Sequence, residues 1–213
     1  MRNTSLFALL LLCSFLLAEE PVAKRGPFDA KLLEVAANYK KFRRVDDQLY
    51  LAPELCRSEN FSIPRLSAST DEKTHGRKLY YLFSRLRDEY WSAEKHPAQP
   101  VDQVIVKEAW SAKETTDPKY EDPHSEIDGK SLAHNGKLLA PGEKTGLFIM
   151  LKLDPKTEGT DQGWVYGTVS ADGKTVTGAG RIASCMKCHE EAKYDRLFGV
   201  TRKSDTAYPA RLR

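Results

Sequence analysis

GWVYGTVSADGKTVTGAG, residues 163–180, is the stretch whose reading decides the fold class. Its first half, GWVYGTVS, is rich in β-branched and aromatic residues, which favour a pleated, half-buried strand. ADGK at 171–174 then reads as a hairpin turn into TVTGAG, with Asp172 and Gly173 expected to supply the positive backbone angles. Two strands joined this tightly run antiparallel. Three further runs of the same character lie upstream: KLYYLFSR (78–85), QVIVKEAW (103–110) and GLFIMLKLD (146–154), each bounded by Pro, Gly or Asp. Together they predict a single antiparallel sheet. The first of them also tolerates a helical reading, because LYYLFSRLRDEYW continues to Trp91 without a breaker.

Outside the strands the signals change period. DAKLLEVAANYKKFRRV carries Leu32, Leu33, Ala36, Ala37 and Tyr39 on helical spacing, with Asp29 as the expected N-cap and basic residues in the last turn. Segment 111–145 is polar and proline-containing and reads as a long excursion between two strands. EEAKYDRLFG, at 190–199, reads as a short helix ended by Gly199. The fold class expected is therefore α+β, an antiparallel sheet with flanking helices.

The N-terminus MRNTSLFALLLLCSFLLAEE has one early cation, Arg2, and an apolar run from Leu6 to Ala18, the layout of a secretory signal peptide. The run is short for a bilayer span, which needs about 20 apolar residues, so a membrane anchor is the lesser expectation. This divides the chain into a signal peptide (1–18), a lead segment with an N-terminal helix (19–70) and a main domain (71–213), and predicts a periplasmic or secreted protein. With 33 basic and 30 acidic residues and no basic stripe, nucleic acid is not an expected partner.

Of the four cysteines, Cys13 lies in the leader, leaving Cys56, Cys185 and Cys188. An odd count in an oxidising compartment fits two cysteines used together and one left over. Those two sit in CMKCH, residues 185–189. Covalent haem attachment needs two thiols, one for each porphyrin vinyl group, and an iron ligand beside the second. Cys185, Cys188 and His189 supply all three. A zinc site would need two more ligands, and Cys56, His75, His96, His124 and His134 are not paired at ligand spacing. A redox dithiol would leave His189 without a purpose. For the sixth iron position, Met150 and His75 are the candidates, Met150 reading chiefly as core and His75 chiefly as a turn residue.

VIVKEAW, GLFIMLK, GWVYGT and CMKCHEEAK, in that order, resemble the cytochrome P-460 family, small exported monohaem proteins that include the cytochromes c′-beta. The resemblance spans about residues 75–199. It implies an antiparallel sheet carrying one covalent haem c per chain, a homodimer, His189 as proximal ligand and an open distal position. It also implies a small nitrogen compound or gas as ligand, hydroxylamine or nitric oxide, and another cytochrome as electron partner.

In the members that give the family its name, a strand lysine matching Lys107 bonds to the porphyrin edge and supports hydroxylamine oxidation. The oxidising members place a carboxylate where this chain has Phe148. An aromatic ring cannot accept substrate protons, so Phe148 is expected to cap a dry distal site suited to uncharged gases. Lys107 thus points towards an enzyme and Phe148 away from one, and a plain electron-transfer cytochrome with six-coordinate haem is the alternative. Strand alternation puts Ile105, Lys107 and Ala109 on one face and Val104, Val106, Glu108 and Trp110 on the other.

Overall fold

The computed structural model describes residues 26–45, 49–52, 78–93, 95, 98–117, 131–134, 136–192 and 194–198. The leader, Cys56, His75, His96, His124 and Gly199 lie outside them. The described elements are α1 (Asp29–Asn38), a 3-10 turn (Tyr39–Lys41), β1 (Arg43–Arg44), β2 (Tyr50–Leu51), β3 (Lys78–Ser84), α2 (Arg87–Trp91), β4 (Val104–Glu114), β5 (Leu132–His134), β6 (Lys137–Lys152), β7 (Trp164–Val169), β8 (Val176–Gly180) and α3 (Ala183–His189). All pairings are antiparallel, in the order β1-β3-β4-β6-β7-β8, with β2 also on β3 and β5 also on β6. The α+β expectation holds.

Register gives the sheet two distinct faces, because side chains opposite one another across antiparallel strands share a face. One row runs Leu82, Lys107, Phe148, Thr168, Gly178. The neighbouring row, on the opposite face, runs Phe83, Val106, Ile149, Gly167, Ala179. That second face, the back, is the main core: Phe83, Val106, Ile149 and Val165 pack against Leu32, Val35 and Ala36 of α1. Close approach of the helix needs Gly167, since a Cβ there would lie 2.5 Å from Leu32 Cδ2. Glu108 also points backwards, as alternation predicts. Its side chain is 2% exposed, with Lys40 Nζ 2.9 Å and Lys144 Nζ 3.9 Å from Oε1, and it accepts a short hydrogen bond from the Tyr39 hydroxyl.

Several local expectations need correction. The excursion between strands is shorter than 111–145, because β4 continues to Glu114 and β6 starts at Lys137. The pairing of these outer arms, Ala112 with Pro141 to Glu114 with Leu139, follows bulges around Trp110, which restore register after the regular central ladder. Residues 78–84 are strand, and helix begins only at Arg87. Asp29 is the first helical residue rather than the cap, and its carboxylate accepts the Gly26 N–H at 2.8 Å. In the 171–174 turn only Gly173 has a positive φ, of 76°. Asp172 instead accepts the Lys174 N–H, 3.0 Å away, through its side chain.

Candidate functional site

CMKCH forms most of α3. Helical geometry sets residues three and four apart side by side, so Cys185, Cys188 and His189 share one flank. Ile182, extended at φ −74°, starts the helix by accepting the N–H groups of Cys185 and Met186 at 3.0 and 2.9 Å. Ile182, Cys185 and Met186 pack on the front face of the sheet, against a cluster that contains Ile105, Met150, Trp164 and Tyr166. Met150 is thus a core residue beneath α3, 8% exposed. Among the described residues of 190–199 the expected helix is absent. After His189 the chain turns instead, through a bridge between Tyr194 and Leu197.

That turn orients the histidine. His189 Nδ1 lies 2.6 Å from the carbonyl oxygen of Arg196. A carbonyl only accepts, so Nδ1 carries the proton and Nε2 presents a bare lone pair. The ring sits between Tyr166 and Phe198, with centroids 5.5 and 5.2 Å away. Burial pushes its pKa down to about 4, which keeps the imidazole neutral at physiological pH.

Asp195 and Arg196, the tip of the turn, both have left-handed backbones, φ 46° and 69°. For non-glycine residues this costs roughly 1–2 kcal/mol each. Two charged clusters hold the tip down. Asp195 accepts from Lys152 Nζ (2.8 Å), Trp164 Nε1 (3.1 Å) and the Gln99 N–H (2.9 Å). Arg196 donates from Nε and Nη2 to the two carboxylate oxygens of Asp161 (2.8 and 3.0 Å), and Tyr166 Oη donates to Asp161 Oδ2 (3.0 Å).

Beside α3 the front face opens into a cavity of about 340 Å³ lined by Lys78, Phe148, Thr168, Gly178, Ile182 and Cys185, among others. Lys107 stands next to it, its Nζ 4.2 Å from the Tyr80 ring centroid and 5.7 Å from that of Phe148. Lys78 Nζ approaches the same Phe148 ring at 5.4 Å. Desolvation, reinforced by the charge of Lys78, lowers the Lys107 pKa to about 7. Alternation left the orientation of Lys107 open, and it is the cavity side. Phe148 is half-buried and borders the cavity rather than filling the core. Lys78 escaped the sequence reading, and the only available signal was its parity with Tyr80 and Leu82.

A haem is the group these residues suggest. His189 offers a fixed, neutral nitrogen donor, and Cys185 a free, half-buried thiol at the cavity wall, its pKa raised by burial. The donor set fits a c-type haem rather than a metal held by side chains alone, since the described residues contain no group of three His, Cys, Asp or Glu able to hold an ion. Cys188 is disulfide-bonded, in a bridge that excludes Cys185. The family model for Cytochrome P460 matches residues 66–198 of the chain. No curated protein matches it.

Proposed function

Because the chain belongs to the Cytochrome P460 family, whose members are c-type haem cytochromes, we propose that it holds one haem through thioether bonds to Cys185 and Cys188, with His189 Nε2 on the iron. The observation that carries this is the hydrogen bond from His189 Nδ1 to the Arg196 carbonyl, which leaves Nε2 as a ready donor in the same helix as the Cys185 thiol. When bound, the haem supplies the iron that binds a small nitrogen ligand and exchanges electrons.

The chain's own residues then act on that ligand. Phe148 borders the cavity with an apolar ring, which favours uncharged ligands such as nitric oxide. Among the described residues lining the cavity there is no carboxylate to act as a general base. One observation favours hydroxylamine oxidation: Lys107, with a pKa of about 7, is partly a neutral amine at physiological pH. A neutral amine can accept a proton from substrate, and it is the form in which Lys107 would bond to a porphyrin edge, as in the family's namesakes, if an external two-electron oxidant removed the displaced hydrogen. Met150 is engaged in the core beneath α3, so a six-coordinate electron-transfer haem would need His75 as its sixth ligand.

The same reading makes the protein exported, homodimeric and partnered with another cytochrome. No described helix is long and apolar enough to cross a membrane. Steady hydroxylamine consumption with an artificial electron acceptor, lost in Lys107→Ala, would identify the enzyme. A wild-type protein that binds nitric oxide reversibly and consumes no hydroxylamine would identify the gas-binding form, and one that does neither would refute the nitrogen-ligand reading in favour of plain electron transfer.

A further inference from the structure

Nothing in the CMKCH motif specifies what holds the far side of the histidine. The acceptor of its Nδ1–H is a backbone carbonyl in a turn that two non-glycine residues enter with left-handed angles, so the turn does not hold this shape by local preference. Its side chains are tied by two separate sets of contacts. Asp195 is tied to Lys152, at the end of β6, and to Trp164, at the start of β7. Arg196 is tied by two parallel hydrogen bonds to Asp161, a carboxylate that is itself nearly buried, 6% exposed, and braced by Tyr166 of β7. A two-point guanidinium–carboxylate contact fixes direction as well as distance.

We propose that the Arg196–Asp161 pair is a positioning device for the proximal histidine: it locks the Arg196 carbonyl under His189 Nδ1 and thereby sets how strongly Nε2 donates. Asp161 and Arg196 are positioning residues, acting through the carbonyl without touching the iron site. A strong acceptor on Nδ1–H makes the imidazole more electron-rich, which favours the oxidised metal and stiffens the bond to it. Tyr166 links the two halves, since its hydroxyl braces Asp161 while its ring lies against His189. The pair therefore tunes the reduction potential from outside the attachment motif.

This inference rests on His189 being the iron ligand, and its test separates the two claims. Holoprotein carrying Asp161→Asn is compared with wild type and with Asp161→Glu, which keeps the charge. Resonance Raman of the ferrous form reads the iron–histidine stretching band, and redox titration reads the potential. Asp161→Asn is expected to move the band to lower wavenumber and the potential to more positive values, with partial recovery in Asp161→Glu. Should Asp161→Asn not fold, Tyr166→Phe removes one hydrogen bond to the same carboxylate and is expected to give a smaller shift in the same direction.

A folded variant that loses thermal stability but keeps both band and potential would overturn the proposal. A wild-type protein with no iron–histidine band would refute His189 ligation instead. In that case the His189 Nδ1 proton, followed by NMR, decides whether the clamp exists: slow exchange in wild type and fast exchange in Asp161→Asn support it, and equal rates refute it.

Discussion

Lys107 makes the stability of the chain without haem depend on pH in a specific direction. In the fold its ammonium titrates near 7, against an ordinary 10.5, because the front face desolvates it and Lys78 repels it. A base with a depressed folded pKa binds more protons in the unfolded chain between those two values, so stability rises with pH from about 7 towards 10.5. The difference sets a ceiling of about 5 kcal/mol at roughly 1.4 kcal/mol per pH unit. Lys107 is only partly buried, and water and salt screen it, so a gain of about 2 kcal/mol between pH 7 and 9.5 is expected.

Cys185, pushed up from 9.0, and Lys144, pushed down from 10.5, also titrate towards the alkaline end of this range, with opposite signs, and both are present in the comparison variant below; two further windows stay clear of it. His189, pushed down from 6.5 to about 4, costs stability only as the pH falls below 6.5. Tyr39 and Tyr166, pushed upward, cost stability only above their ordinary 10. Urea denaturation of the haem-free chain at pH 7, 8, 9 and 9.5 reads the effect, with Lys107→Met as the uncharged comparison. Lys107→Met should start about 2 kcal/mol higher at pH 7, and the gap between the two proteins should close across the series. An equal slope in the two proteins, or a Lys107→Met chain less stable at pH 7, would refute the desolvation account.

The docking of α1 can be tested by a double-mutant cycle in urea. Leu32→Ala should cost about 3 kcal/mol, by leaving a cavity against Gly167, and Gly167→Ala about 2 kcal/mol, by crowding Leu32. The double variant should cost at least about 1 kcal/mol less than their sum, because the new methyl occupies the vacated space, and strict additivity would contradict the packing. On the back face, Glu108→Ala should destabilise by about 3 kcal/mol, by leaving Tyr39, Lys40 and Lys144 without their shared acceptor. The holoprotein's optical spectrum should not move, and a change there would mean that Glu108 does not point away from the haem side.

The centre of the sheet was legible because its strands are apolar on both faces and need no partner to declare themselves, GLFIMLK being the clearest. Their outer arms were not. Residues 111–114 and 137–145 mix charged residues, Pro141 and Gly142 with a few apolar ones and carry no clear alternation, so only the pairing across β4 and β6 makes them strand. The helical period of α1 was visible in Leu32 and Ala36, whereas its landing site is a glycine, which offers no side chain to read.

The same contrast runs through the site. Cys185, Cys188 and His189 announce themselves by spacing. Lys78 does not, because a lysine at a strand start reads as solvated until the register of β3 on β4 turns it to the cavity. The acceptor for His189 is a main-chain oxygen, which no residue type encodes. The turn that presents it displaced the helix expected at 190–199, because Asp195 and Arg196 are held at positive φ by Lys152, Trp164 and Asp161.

Attachment of the haem is tested most directly by peptide mass analysis of the purified mature protein. The peptide containing Cys185–His189 should carry one haem bound through both Cys185 and Cys188, with no disulfide remaining at Cys188. A peptide with two unmodified cysteines, or one in which Cys188 keeps its disulfide, would contradict the account.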